Sequence, residues 1–143
     1  AYVEAFIENV LVEEGVEFLK QGPDTVIAGP VAHLKSIYEG RFNQRSLIPF
    51  IQKLHPTPAV CGIQSERARV IIISIETHDR SDYTGFIGPL VNKEIKLFVN
   101  LRSGKIIDDD LYLFLGGGIT KDSDPIEEWK ETELKAQTLL SIL

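Results

Sequence analysis

The chain has 143 residues, 43% of them hydrophobic and 25% charged, and a net charge of −6, figures that suit a globular domain with its own core. The acidic balance, with no Lys/Arg cluster, argues against a nucleic-acid partner, and no apolar run approaches the ~20 residues of a membrane span. A single cysteine, Cys61, excludes an internal disulfide and fits a reducing, cytoplasmic setting.

Taken in order, residues 1–11 (AYVEAFIENVL) show helical periodicity through Val3, Ile7, Val10 and Leu11, with no Ser, Thr or Asp cap before them. The chain also contains no methionine. Both features lead us to expect a piece cut from a longer polypeptide, beginning inside a helix over 2–13. Gly22-Pro23-Asp24 predicts a turn, and 25–28 with 31–38 predict extended segments. Residues 46–54 read as a short amphipathic helix that stops before Pro56. The run 66–76 is ambiguous: Arg-Val-Ile-Ile-Ile-Ser-Ile has strand propensity, yet its length also permits a buried helix.

From 83 to 120 the pattern is β, with strands expected over 83–90, 94–101 and 111–115 and turns at Asn92-Lys93 and 107–110, forming an antiparallel meander. A closing helix should start near Asp124-Pro125, with Asp as N-cap and Pro in the first turn. Its end, 139–143, is apolar nearly all round and is expected to be buried. The expected class is α+β, one unit with an antiparallel sheet and flanking helices.

Residues 113–135 hold the strongest candidate site. An apolar strand runs into Gly116, Gly117 and Gly118, then a Ser-Asp-Pro turn, then an acidic helix. Glu128, Glu131 and Lys135 are three and four apart and share one helix face. Two carboxylates and an ammonium beside a glycine turn suit a divalent ion plus a small anion. The competing reading, which composition alone favours, is a solvated face with a Glu131–Lys135 pair. For the glycines the alternatives are an anion-binding turn and a strand end needing positive φ. Alternation would put Arg102 on the face of Phe98 and Asn100, either clamping a carboxylate or reaching solvent. His33, His55 and His78 lack zinc spacing, His55 fits a structural role in a proline-stiffened turn, and Cys61 reads as a buried small hydrophobe.

Six ordered pieces resemble the C-terminal half of the chorismate-binding enzymes, the family of isochorismate, salicylate, anthranilate and aminodeoxychorismate synthases. They are His33-Leu34 with Glu39-Gly40; Leu54-His55-Pro56-Thr57-Pro58-Ala59-Val60-Cys61-Gly62; Glu76 through Arg80 to Tyr83-Thr84-Gly85 and Gly88; Leu101-Arg102; Gly116-Gly117-Gly118-Ile119; and Ser123-Asp124-Pro125 through Glu128-Trp129-Lys130-Glu131 to Lys135.

The resemblance implies the C-terminal half of the anthranilate synthase component I-like fold and a Mg²⁺-dependent enzyme acting on chorismate. By it, Glu131 and Glu128 would hold the metal; Tyr83, Arg102, the 116–118 backbone and Lys135 would bind substrate carboxylates; and His33 would line the ring pocket. Glu76 and Arg80 look like framework residues. Ala59, where relatives making salicylate or anthranilate tend to carry threonine, resembles the isochorismate synthases, which isomerise chorismate to isochorismate for menaquinone or catechol siderophores. The family's general acid, general base and other metal glutamate would lie upstream of residue 1, so this chain alone is expected to be inactive and to self-associate. The alternatives are a salicylate or anthranilate synthase, and a non-catalytic ligand-binding or interaction module.

Overall fold

A computed structural model describes residues 2–28, 31–42, 47–92 and 94–141. It is mixed α and antiparallel β, as expected, and divides into two compact units, residues 1–71 and 72–143. No helix among the described residues is long and apolar enough to cross a membrane.

The first unit opens with α1 (Tyr2–Glu13), which ends where the sequence changes to Glu-Gly. Gly15 takes φ +65°, its N–H bonds to Val12 O, and Val16 N–H bonds back to Leu11 O at 2.9 Å. Those paired bonds close the helix in a Schellman motif, which needs a residue tolerant of left-handed backbone. The hairpin β1 (Phe18–Ala28) and β2 (Val31–Gly40) follows. Gly22-Pro23 is not the expected turn. It lies inside β1, where the register shifts between Gln21 and Asp24, because glycine and proline disturb a ladder locally and a bulge absorbs them without ending the strand.

Then come α2 (Leu47–Leu54) and the one-turn α3 (Pro58–Cys61); Ser46 lies outside the described residues. His55, half-buried, closes α2 with its N–H on Ile51 O at 3.0 Å. The core of this unit is Val10, Leu11, Val16 and the free Cys61, joining α1 to α3. Lys20 on β1 bonds Glu8 at 2.8 Å and Glu4 at 3.1 Å, and Tyr38 and Ser36 on β2 donate to the same two carboxylates. Helix α1 is thus tied to the hairpin by charge-assisted bonds.

The run 66–76 is helical: α4 spans Ser65–Ile75. It is not buried, for Val70 is 66% exposed and Ile73 68%. In the second unit β3 (Phe86–Ile87) pairs with β6 (Phe98–Val99), and β4 (Leu90–Val91) with β5 (Glu94–Ile95), all antiparallel. These are two short pieces of one hairpin rather than long strands. They are interrupted where Gly88 passes Lys96: a side chain on Gly88 would collide with that carbonyl. Lys93, in the expected turn, lies outside the described residues.

A second hairpin, β7 (Ser103–Ile107) and β8 (Asp110–Phe114), turns at 108–109 with Asp108 at φ +55°. The sequence reading had no β7. The closing helix α5 spans Pro125–Leu140, but Leu140 is 52% exposed, so the expected burial of its end fails where it is described; Ile142 and Leu143 lie outside the described residues. Among those residues, none of the second unit's side chains is fully covered.

Candidate functional site

The candidate site is built where β8 runs through residues 115–124 into α5. Asp124 caps the helix as its sequence position predicts, accepting from the N–H groups of Ile126 (2.9 Å) and Glu127 (3.0 Å), with Pro125 next. Ser123 closes the loop by accepting from Thr120 N–H at 3.0 Å and donates its hydroxyl to Glu128 Oε1 at 2.5 Å. The cap fixes the helix start, and the serine fixes the first of the two glutamates on its inner face.

One turn further along, Lys135 pairs with Glu131 Oε1 at 2.8 Å and donates to the carbonyl of Gly116 at 3.0 Å. Its side chain is only 15% exposed. The i,i+4 pair of the bland reading therefore exists, but it does more than decorate a surface, because the same ammonium ties α5 back to the glycine turn. Two of its three N–H donors are engaged, leaving one for an anion.

A Cβ placed on Gly117 would lie 3.2 Å from Glu128 Oε2, 3.9 Å from Glu131 Oε2 and 3.9 Å from Lys135 Nζ. Both carboxylates spend Oε1 on a protein partner and turn Oε2 to the same point. On Gly116 a Cβ would lie 2.8 Å from the Tyr83 hydroxyl. Neither glycine has positive φ, so the strand-end explanation fails; glycine is needed there for close approach of side chains. Gly118 has open space around the Cβ position and no positive φ, and nothing local demands glycine there.

The site thus brings together Tyr83, Gly116, Gly117, Glu128, Glu131 and Lys135. Arg102 is placed differently from the alternation argument. Strand β6 ends at Val99, and Arg102 sits in the bend beyond it with φ +53°, so period-two alternation no longer governs its side chain. Its backbone still borders the site, since Ser103, the next residue, pairs with Phe114. His33 stands on β2 opposite Val26, and Ala59 in α3; both belong to the first unit.

Tyr83 is held by neighbours that the sequence reading left outside the site. Arg80 grips Glu76 with two parallel bonds, Nε to Oε2 at 2.6 Å and Nη2 to Oε1 at 2.5 Å. Its guanidinium lies 5.9 Å from the Tyr83 ring centroid, and Phe114 stacks on that ring at 5.9 Å. Burial pushes the Tyr83 phenol up, while the Arg80 charge pulls it down. The hydrogen bonds from Arg80 hold Glu76 below the usual carboxylate range. A cleft of about 490 Å³ opens beside Tyr83, lined also by His78, Lys105, Tyr112 and Phe114. Lys105 escaped notice because its strand, β7, was not foreseen.

Whether this site suits a metal turns on its donors. Among the described residues there is no group of three or more His, Cys, Asp or Glu placed to hold a metal ion. Two convergent carboxylate oxygens are what a hard ion such as Mg²⁺ takes from protein when water and ligand oxygens complete its shell. The donor set fits Mg²⁺.

The profile of the "Chorismate binding enzyme" family matches residues 1–143. The chain is 38% identical over 95 residues to the isochorismate synthase MenF of Haemophilus influenzae, covering 66% of this chain and 22% of that protein. It is 36% identical over 144 residues to the MenF of Bacillus subtilis, covering 99% and 31%. It is 30% identical over 139 residues to the isochorismate synthase EntC of Escherichia coli K12, covering 95% and 36%. The chain therefore spans 22–36% of the length of these relatives.

Proposed function

Because the chain belongs to the chorismate-binding enzyme family, we propose that it is the metal-and-carboxylate wall of an isochorismate synthase, part of one catalytic domain in a longer protein. The carrying observation is the convergence of Glu128 Oε2, Glu131 Oε2 and Lys135 Nζ over Gly117. The reaction is isomerisation of chorismate to isochorismate, in which water adds at one ring carbon as hydroxyl leaves another. Menaquinone or catechol siderophores are its downstream use.

In this reading Glu131 and Glu128 would hold Mg²⁺, which when bound would neutralise and polarise a substrate carboxylate. Lys135 places its remaining N–H on an adjacent substrate oxygen, fixed by Glu131 and the Gly116 carbonyl. Tyr83 and Arg102 bind the second carboxylate, and the bare Cα of Gly116 and Gly117 lets the substrate approach the backbone. The roles implied for His33 and Ala59, which stand in the first unit, are carried by the family resemblance alone. Holding both substrate carboxylates lowers the entropic part of the barrier. In this reading the groups that move protons belong to the part of the relatives' length that this chain does not span, so the 143-residue chain alone is inactive.

The test is Glu131→Ala in the full-length protein. We expect chorismate turnover to fall by ~100-fold or more, the scale of losing a main electrostatic partner, and calorimetric Mg²⁺ binding to weaken in parallel. Surviving Mg²⁺-dependent activity would sink the metal assignment and favour a surface ion network in a non-catalytic module. Product analysis with and without ammonia separates isochorismate from salicylate or anthranilate. Turnover by the isolated 143-residue chain would overturn its predicted inactivity.

A further inference from the structure

We propose that Glu76 and Arg80 are positioning residues for Tyr83, fixing its hydroxyl over Gly116 and thereby setting the affinity of the carboxylate wall. The inference rests on the reading of that wall as a substrate site. The side-chain contacts described for the two residues run to each other, to His78, to Tyr83 and to Thr84. Their effect must run through the ring they hold.

The chain of contacts is short and stiff. Glu76 continues the ladder of α4, its N–H bonding Ile72 O at 3.0 Å, so its carboxylate projects from a helix end rather than from a free loop. The two parallel bonds to Arg80 lock both the position and the plane of the guanidinium, a geometry that a single contact would leave free. Arg80 then reaches Tyr83 in two ways. Its carbonyl accepts the Tyr83 N–H at 2.9 Å, which sets the backbone of the 81–84 turn. Its guanidinium lies within cation–π range of the ring. Nη1 also lies 3.4 Å from Thr84 Oγ1, across the same turn.

That turn is otherwise strained. Ser81 and Thr84 both have positive φ (49° and 67°), which non-glycine residues adopt only when their surroundings hold them there. With Phe114 stacked on the ring as well, the phenol is directed to a point 2.8 Å from where a Gly116 Cβ would be.

A purely structural role predicts something different. The side chains of Glu76 and Arg80 are each 27% exposed, and partly exposed ion pairs contribute little to stability. A variant should therefore damage ligand affinity far more than folding.

The experiment uses the full-length protein with tyrosine labelled at ¹³Cζ, the Tyr83 resonance being assigned by Tyr83→Phe. Arg80→Gln should shift the Tyr83 resonance and leave those of Tyr2, Tyr38 and Tyr112 in place. It should raise KM for chorismate about tenfold with kcat changed less than twofold, the pattern of a lost binding orientation. In the Tyr83→Phe background the same substitution should add less than twofold, because the hydroxyl it positions is gone. If Arg80→Gln does not fold by circular dichroism, the isosteric Glu76→Gln carries the same comparison.

An unmoved Tyr83 resonance, or an equal KM increase in both backgrounds, overturns the proposal. A wild-type protein that does not turn over chorismate overturns the substrate reading instead, and the Tyr83 resonance then decides the positioning claim by itself.

Discussion

Gly116 and Gly118 stand two residues apart and carry opposite expectations. A methyl on Gly116 would meet the Tyr83 hydroxyl at 2.8 Å, the far end of a side chain that can swing away, whereas a methyl on Gly118 meets nothing. Gly116→Ala should therefore cost less than ~1 kcal/mol of stability, the low end for steric misfit, while displacing the hydroxyl and raising KM. Gly118→Ala should leave both unchanged or slightly raise the melting temperature, since it restricts the unfolded chain at a compatible φ. Thermal melts and steady-state kinetics on the two variants of the full-length protein check the contrast, and equal effects would mean that the glycines act only as a flexible segment.

Glu76 gives the pH counterpart. Its folded value is held below the ordinary 4.5 by hydrogen bonds from Arg80, so the ionised form is favoured in the native state. That contribution is present in full above 4.5 and is lost as pH falls through the depressed folded value. Urea midpoints of the full-length protein measured from about pH 5 to pH 3, the carboxylate range, should fall more steeply for wild type than for Glu76→Gln. Parallel curves would remove the linkage. At this scale helical spacing put Glu128, Glu131 and Lys135 on one face, while composition alone favoured a solvated one. The sequence could not announce Tyr83 over Gly116, because 33 residues separate them and only tertiary packing joins them. It misplaced Arg102 because the strand ends at Val99 and Arg102 takes a positive φ in the bend beyond it, neither of which the letters show.

Among the elements, α5 was the most legible. Asp-Pro followed by two glutamates is a helix start whose reasons are local: the carboxylate satisfies orphan N–H groups, proline presets φ, and negative charge suits the positive end of the dipole. Asp124→Ala should destabilise the full-length protein by about 1 kcal/mol, read as a lower chemical-denaturation midpoint. It should also weaken Mg²⁺ binding, because Glu128 lies in the turn that the cap organises. Unchanged stability with Mg²⁺ binding intact would show that the Ser123–Glu128 bond fixes the helix start unaided.

The other elements show where local signals run out. Ile-rich α4 could be strand or helix by propensity, and the start at Ser65-Glu66 with an 11-residue length decided it. Strand β7 was missed because Ser103-Gly104-Lys105 has neither apolar alternation nor β-branching. It exists because it pairs with β8 residue for residue from Ser103↔Phe114 to Ile107↔Asp110. Gly22-Pro23 carries a turn signature inside a strand because the partner strand β2 is long enough to hold register across the bulge.

For the molecule as a whole, the balance of covered and uncovered apolar surface sets the strongest expectation. Only Val10, Leu11, Val16 and Cys61 are buried among the described residues, all in the first unit, while Ile87 (65%), Leu90 (68%) and Phe98 (62%) of the second stand open. A chain of this length ordinarily buries well over half of its unfolded surface, and large exposed apolar areas mark surfaces that are covered in the working protein. The paired strands β3 and β6 are also short and uncharged, with Phe86, Ile87, Phe98 and Val99 in their ladder, and such strands pair readily with another copy. In relatives of which this chain spans 22–36%, the remaining length offers ample material to cover them. We therefore expect the 143-residue chain, expressed alone, to self-associate. Light scattering should give a mass well above the 16.0 kDa of one chain, rising with concentration. Adding the rest of the full-length protein as a separate polypeptide should return a single stoichiometric complex. A monodisperse 16.0 kDa species that melts cooperatively would mean that the open faces are compatible with an autonomous domain, and the case for a catalytic domain larger than this chain would have to rest on the site chemistry alone.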